Sequence, residues 1–323
     1  MQYIRYMALV LAGLCCSAPV LAQTDSYPSR AIRIVVPFPP GGGTDTAARQ
    51  MAERLSKELK TDIVVDNKPG AGGNIGALYV AKAAPDGYTL LVGTVGTQIV
   101  NQIMFPTIGF DPEQDFAPAG WFSSVPNVLV VGAQSPYHSV QELIAGAKTR
   151  PEGLVYGSGG AGSSIHLAAE LLKEMTGMAA EHIPYKGSAP ALVDLIGGRV
   201  DFMVDNLSSA NPHIQSGKLR ILAVTTSQRL EAYPDVPTLA EIPGLSSYEA
   251  VGWTGLFAPH GISPEKLAIL SDAMSSTTDI EAIRAKVAFS GAEYVGAGSE
   301  AFDEFLVKER ARWVPIARKA LVK

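Results

Sequence analysis

Cysteine is nearly missing from this chain of 323 residues: there are two, Cys15 and Cys16, adjacent and inside the first apolar run. Arg5, the run 7–14 and the small residues around Val20-Leu21-Ala22 read as an export signal cut after Ala22. The run is short for a membrane-spanning helix. Gly13 and Leu14 do not place a small residue next to Cys15, as lipidation requires. Both cysteines therefore leave with the signal, and the mature chain is expected to hold no disulfide, thiolate nucleophile or thiolate metal site. Positive charge is also short. Lysine and arginine number 26 against 31 acidic residues, a net charge of −5, and losing Arg5 makes it 25 − 31 = −6. With no basic patch, nucleic acid is excluded as a partner. Five scattered histidines offer no metal-ligand spacing. No later apolar run is long enough to span a membrane, so the product reads as soluble and exported. Charged residues are only 18% against 47% apolar, which excludes disorder and can fill two cores. At roughly 150 residues per domain the length suggests two domains.

Glycine, by contrast, is abundant and placed. The apolar run 34–36 ends in Pro37-Phe38-Pro39-Pro40-Gly41-Gly42-Gly43, and Ala47, Ala48, Met51, Leu55 and Leu59 then recur at helical spacing. Thr44 or Asp45 is the expected N-cap. The same construction returns at Leu154-Val155-Tyr156-Gly157-Ser158-Gly159-Gly160-Ala161-Gly162, with Ser163 or Ser164 as cap and a stripe of Ile165, Ala168, Leu172 and Met175. Strand, glycine turn and helix start present backbone N–H groups to an anion. Without a Cβ, glycine lets a ligand approach the backbone. The chain is read as two such units facing each other across a cleft.

Alternating strands and helices predict a mainly parallel α/β sheet in each unit. Strands are expected at 32–36, 63–65, 89–94, 128–131, 200–205 and 219–225, with Asn74 capping a short helix through Lys82. Ser139-x-x-Glu142 reads as a capping box. Residues 105–126 show no clear period and read as a crossing into the second domain. After Pro237 the alternation is lost, and the closing elements, with Phe302, Phe305 and Leu306 on one face, are expected to pack back on the first domain. The division is then 23–124 with 226–323 for lobe 1, and 125–225 for lobe 2.

Catalytic and cofactor readings find little support. Gly157-x-Gly159-x-x-Gly162, with Glu181 beyond, formally matches a dinucleotide fingerprint, but the helix cannot begin until after Gly162. No G-x-S-x-G elbow exists. His166 follows Ser163 on one helix and reads as a hydrogen-bonded pocket or core residue. Asp205, at a strand end, could be a general base, a backbone-bonded carboxylate or an acceptor for a ligand's donors. Phe38 and Tyr185 sit at strand ends beside turns and are read as cleft aromatics.

Several ordered segments carry a resemblance over the whole mature chain. They include Val36-Pro37-Phe38-Pro39-Pro40-Gly41-Gly42-Gly43-Thr44-Asp45, Asn67-Lys68-Pro69-Gly70-Ala71-Gly72-Gly73-Asn74, Ala84-Pro85-Asp86-Gly87-Tyr88-Thr89-Leu90, Ser163-Ser164-Ile165-His166-Leu167, Pro184-Tyr185-Lys186-Gly187 and Asp205-Asn206-Leu207. In these the chain resembles the solute receptors of tripartite tricarboxylate transporters, the Bug receptor family. The resemblance implies a periplasmic binding protein of the type II, Venus-flytrap kind, with two α/β lobes around a central cleft. It implies a small organic carboxylate as ligand: a di- or tricarboxylate, an aromatic acid or an acidic amino acid. Membrane permease subunits are the implied partner, with no cofactor, no metal and no catalysis; the receptor is expected to be monomeric. Carried over by residue, Phe38, Pro39, Gly41, Gly42 and Asp45 supply the first turn and Thr94 a strand end. Ser158, Gly159, Gly160, Ser163 and Ser164 supply the second turn, with His166 behind it, and Asp205 faces the cleft. A sensor subunit for a signalling system, or an exported enzyme using Asp205 and His166, are the alternatives.

Overall fold

Ile32, Ile34, Val35 and Val36 are all buried, because β1 (Ile32–Val36) lies between two parallel strands and is covered on both faces. Such a strand reads as a near-continuous apolar run. On one face Ala48, Met51 and Leu55 of α1 (Gly43–Leu59) pack on Ile34 and Val36. On the other, Ala77 and Val80 of α2 (Asn74–Ala81) pack on Val35. The computed structural model describes residues 27–289 and 291–321. The export signal expected at 1–22, with both cysteines, lies outside the described residues.

The first sheet runs β11-β4-β10-β3-β1-β2, where β2 is Ile63–Asn67, β3 Thr89–Gly93, β4 Phe116–Val125, β10 Gly252–Pro259 and β11 Glu293–Gly298. β2, β1 and β3 are parallel; β10 is antiparallel to β3 and β4. The second sheet runs β7-β6-β8-β5-β9, where β5 is Asn127–Gly132, β6 Leu154–Ser158, β7 Ala180–Pro184, β8 Phe202–Asn206 and β9 Leu219–Val224. Here β7, β6 and β8 are parallel and β5 runs against them. Helices α5 (Ser164–Thr176), α6 (Ser188–Ile196) and α7 (Leu207–Gln215) follow β6, β7 and β8. In each sheet the carboxyl ends of the parallel strands open onto helix starts, where ligands of α/β sheets bind.

Four expectations are corrected. Residues 116–125 are not a crossing but a ten-residue strand pairing with both β10 and β11. Pro118 and Gly120 and two register shifts against β10 break its apolar alternation, which hides the strand from a period-two reading. The closing segment does contain strand and helix in turn: β10, then α8 (Pro264–Ser275), α9 (Ile280–Phe289), β11 and α10 (Ser299–Leu321). Asn74 is inside α2, not its cap; Gly73 takes that place, and Asn74 Oδ1 accepts from Asn101 Nδ2 at 2.7 Å. Ser139 caps α4 (Val140–Thr149), but Glu142 reaches one residue further back, to the His138 N–H.

The chain passes between the sheets twice, at Pro126 and through 225–251, and the two passages are tied together. Asn127 donates to the Ala250 carbonyl at 2.8 Å, the Thr225 hydroxyl to the same carbonyl at 2.6 Å, and Asn206 Nδ2 to Asn127 Oδ1 at 2.6 Å. Asn127 and Thr225 are completely buried. Helix α10 adds a second link: Phe302 and Leu306 sit in the core, and Lys319 pairs with Glu174 of α5. Its buried Glu309 accepts from the indoles of Trp253 at 3.0 Å and Trp313 at 2.9 Å. Removing one partner of a buried pair leaves the other unsatisfied, at a cost of about 1–3 kcal/mol. Asn127→Ala is therefore expected to lower the unfolding free energy by that order, read as a lower urea midpoint. An unchanged midpoint would show that the Thr225 bonds hold the passages alone.

Candidate functional site

The start of α1 is fixed from behind. Asp45 is buried in the first turn, where Oδ2 accepts from the Gly41 N–H at 2.9 Å and from Arg49 Nε at 2.9 Å. Its Oδ1 accepts from Asn67 Nδ2 at 2.9 Å, and the same nitrogen donates to the Phe38 carbonyl at 3.1 Å. Burial alone would raise this carboxyl, but the bonds from Arg49, Gly41 and Asn67 hold it below the ordinary range. The N-cap is Gly42, with extended backbone, and neither Thr44 nor Asp45. Asp45 stands too far into the helix to cap it and instead clamps the preceding glycine. Pro39, Gly41 and Gly42 are exposed, while Phe38 is half-buried against Gly73.

The second turn is held by histidines. Ser163 caps α5, accepting from the His166 N–H at 3.3 Å and donating to the Gly160 carbonyl at 2.7 Å. Gly160 has φ +137°, a conformation that a side chain would strain. The Gly162 N–H donates to His166 Nδ1 at 3.2 Å, and the Ser158 hydroxyl bonds His182 Nε2 at 2.6 Å. The two imidazoles stack at 4.0 Å between centroids, and His182 stacks in turn on Tyr156 at 4.9 Å. Burial pushes His166 down to about 4; burial and the neighbouring His166 push His182 to about 3. His166 accepts a backbone N–H through Nδ1, so it is neutral. Ser164, the first residue of α5, is half-buried.

The helix starts are linked by short approaches. A Cβ on Gly43 would stand 3.4 Å from the Ser208 hydroxyl, in the first turn of α7 of the other sheet's layer. One on Gly159 would stand 3.3 Å from the Ser188 nitrogen at the start of α6, and one on Gly96, beyond Thr94, 3.6 Å from the Gly162 carbonyl. Thr94 is half-buried and its N–H donates to the Thr97 hydroxyl at 3.1 Å. Asp205 closes the set: it is wholly buried at the end of β8, and its Oδ1 accepts from the Ser188 hydroxyl at 2.7 Å and the Asn206 N–H at 2.9 Å. Burial raises its carboxyl to about 7, with those two bonds opposing. Its Oδ2 and the Ser208 hydroxyl have no hydrogen-bond partner.

Comparison with known proteins decides the family. Residues 47–321 match the tripartite tricarboxylate transporter family receptor. The chain belongs to that family. It is 38% identical to Protein BugT of Bordetella pertussis over 312 residues, 96% of this chain and 94% of the relative. It is similar to R. palustris Rpa4515, solved with adipate, at 40% identity and TM-score 0.82, covering 91% of this chain and 98% of that one. It is also similar to MatC (Rpa3494) from Rhodopseudomonas palustris, solved with bound malate, at 32% identity and TM-score 0.79, covering 90% and 100%. The two mixed sheets and their double passage are thus the two-lobed receptor fold, and a Bug-type substrate-binding protein is the class.

Within this receptor the sequence-expected residues divide. Gly43 comes up to Ser208 of α7, Gly96 beyond Thr94 comes up to Gly162, and Gly159 and Asp205 both lie against Ser188. His166 stands behind the second turn with its ring nitrogen already used. Tyr185 is half-buried beside Gly157, but its hydroxyl is turned to Asp194 at 2.8 Å. Ser188, Ser208 and Asn101, whose Oδ1 would stand 3.3 Å from a Cβ on Gly162, were not marked by any motif. Ser188 and Ser208 do open helices directly after strands, which is the available signal.

A lowered histidine gives stability that is complete above about 6.5, its unfolded value, and lost as pH falls through the folded value. His166→Gln is expected to show a smaller loss of melting temperature between pH 7 and 4 than the parent. Parallel profiles in a pH series of thermal melts would show that His166 is not the titrating group.

Proposed function

We propose that this receptor is exported to the periplasm, closes its lobes on a carboxylate of a small organic acid, and presents the closed form to the permease subunits of a tripartite tricarboxylate-type transporter. The observation that carries the reading is the approach of α1 on one sheet's layer to α7 on the other, where a Cβ on Gly43 would stand 3.4 Å from the Ser208 hydroxyl, beside the approach of Gly96 to the Gly162 carbonyl ahead of α5. The first N–H groups of each helix have no intrahelical acceptor and carry partial positive charge. An anion at one terminus gains about 0.3–1 kcal/mol when exposed and about 2 when partly buried. Charge-assisted bonds add roughly 1.5–3 kcal/mol each. Micromolar affinity needs about −8 kcal/mol, within reach of such donors from both lobes. A ligand touching both lobes favours the closed form by its differential affinity.

On this reading Phe38, Pro39, Gly41, Gly42, Thr94, Ser158, Gly159, Gly160, Ser163, Ser164, Tyr185 and Asp205 line the site, with Asp45 and His166 shaping its turns. The lobes divide as 23–124 with 226–323 and 125–225, and the signal is cut after Ala22. The ligand is a di- or tricarboxylate, an aromatic acid or an acidic amino acid; adipate and malate bound to two relatives favour the first group. No catalysis is assigned. His166 Nδ1 is engaged by Gly162 and Asp205 Oδ1 by Ser188, so the two candidate groups form no acid–base pair.

A thermal-shift screen with adipate, malate, citrate, benzoate and aspartate tests this. A bound ligand at a hundred times its Kd stabilises by about 2.7 kcal/mol. At least one acid is expected to raise the melting temperature and to remain chemically unchanged. Gly42→Val is expected to remove the shift with the fold intact, since only the Pro39 carbonyl, at 4.0 Å, stands near a Cβ there. No shift with any acid, turnover of one, or an undiminished shift in the variant would each contradict the proposal.

A further inference from the structure

Two acids are buried among these helix starts, Asp45, which is paired with Arg49, and Asp205, whose two oxygens differ. Oδ1 is filled by two donors, the Ser188 hydroxyl and the Asn206 N–H. Oδ2 is buried and has none. Three residues on, the Ser208 hydroxyl is also buried without a partner, and it faces Gly43 of the opposite lobe. A pair of unpartnered buried polar groups costs free energy unless something bonds them.

No cation balances the acid. Among the described residues no lysine or arginine pairs with Asp205, and only burial, Ser188 and Asn206 set its titration. Lys186, two residues before Ser188, is exposed, and the other charged groups beside β8 are committed elsewhere. Glu170 and Lys173 of α5 pair with each other and Glu170 takes the Tyr156 hydroxyl; His166 stacks on His182. Asp194 of α6 takes Tyr185 and Arg199, and Asp201, just before β8, takes Arg150. His213 lies in the last turn of α7, at the end away from Asp205. An ionised Asp205 would therefore meet an incoming anion with repulsion alone.

We infer that Asp205 is the receptor for a second, distal carboxylate of the ligand, which it binds as the neutral acid through an Oδ2–H bond, so that the receptor selects dicarboxylates and takes each one together with a proton. This rests on the proposed function, and adds to it the ligand class and a dependence on pH. The arrangement is self-consistent: with Oδ1 accepting twice, the proton belongs on Oδ2, where it becomes a donor. The Ser208 hydroxyl, unpartnered and facing Gly43, is a further donor three residues on. Two carboxyl groups sharing a buried site cannot both ionise cheaply, so one proton is held between them.

The sign of the pH dependence follows. Below about 7 the folded receptor already holds the proton, and dicarboxylate binding takes up none. Above it, binding must draw one proton from solvent, and affinity falls tenfold per pH unit in the limit, about 30-fold between pH 6 and pH 8.5.

Isothermal titration calorimetry of the mature chain tests this with adipate and malate at pH 6 and 8.5, each in two buffers of different ionisation enthalpy. Benzoate and aspartate serve as comparisons. The inference expects proton uptake near zero at pH 6 and near one at pH 8.5, the 30-fold loss of affinity, and neither effect for benzoate. Asp205→Asn, whose amide places N–H where the acid places O–H, is expected to abolish the uptake and the pH slope. Dicarboxylate binding without uptake, affinity rising with pH, or an unchanged slope in Asp205→Asn overturns it. So does binding of benzoate, or of aspartate, whose ammonium group would need an ionised Asp205, but of neither adipate nor malate. These outcomes leave the receptor reading standing; failure of every acid to bind at either pH removes that reading and this one together.

Discussion

The amides at a helix start have no acceptor within their own helix, and this receptor brings the start of α1 on one sheet's layer up to the start of α7 on the other. That constraint explains much of the surrounding construction. A glycine turn is conformationally loose, so an amide cradle built from one must be fixed from outside to act as a preformed anion site. On the first turn Asp45 fixes it, holding Gly41 with one oxygen and Asn67 with the other while Arg49 neutralises the charge. On the second, two neutral histidines do so, one accepting from Gly162 and one bonded to Ser158. The same end is thus reached by unlike chemistry, a carboxylate on one side and imidazoles on the other.

On the proposed function the fold must also let two lobes move while keeping their register. The node of Asn127, Thr225 and Ala250 ties both passages between the sheets into one hydrogen-bonded unit. Hinges of this kind concentrate backbone change in a few residues at element ends. Helix α10 runs from β4 to α5, and Tyr248 donates to the Ala168 carbonyl at 2.8 Å, so apolar and polar contacts accompany the hinge. Contacts such as Gly43 to Ser208 are the ones that opening would break.

Much of this was legible in the residues because the signals were local. The runs at 32–36 and 154–158, the glycines after them and the helical stripes that follow needed only periodicity, and Ser163 capped its helix as its type suggests. What stayed hidden was set by tertiary pairing. β4 carries Pro118 and Gly120 at register shifts, and β11 has Tyr294 as its only buried residue, so neither shows strand alternation. Asp45 reads as a cap by type, yet its role depends on Asn67, 22 residues away. Ser188 and Ser208 acquire meaning only from Asp205 and Gly43, which no spacing rule links to them. Tyr185 stands at a strand end as expected, but its hydroxyl is drawn away by Asp194 on the next helix.

The central claim is that one carboxylate is gripped from both lobes, and a crystal structure of the receptor with an acid that stabilises it tests that most directly. The account predicts carboxylate oxygens bonded, directly or through one water, to N–H or hydroxyl groups of residues 41–44 and also of residues 158–164. A carboxylate held by one of these segments alone, or seated away from both, would contradict it.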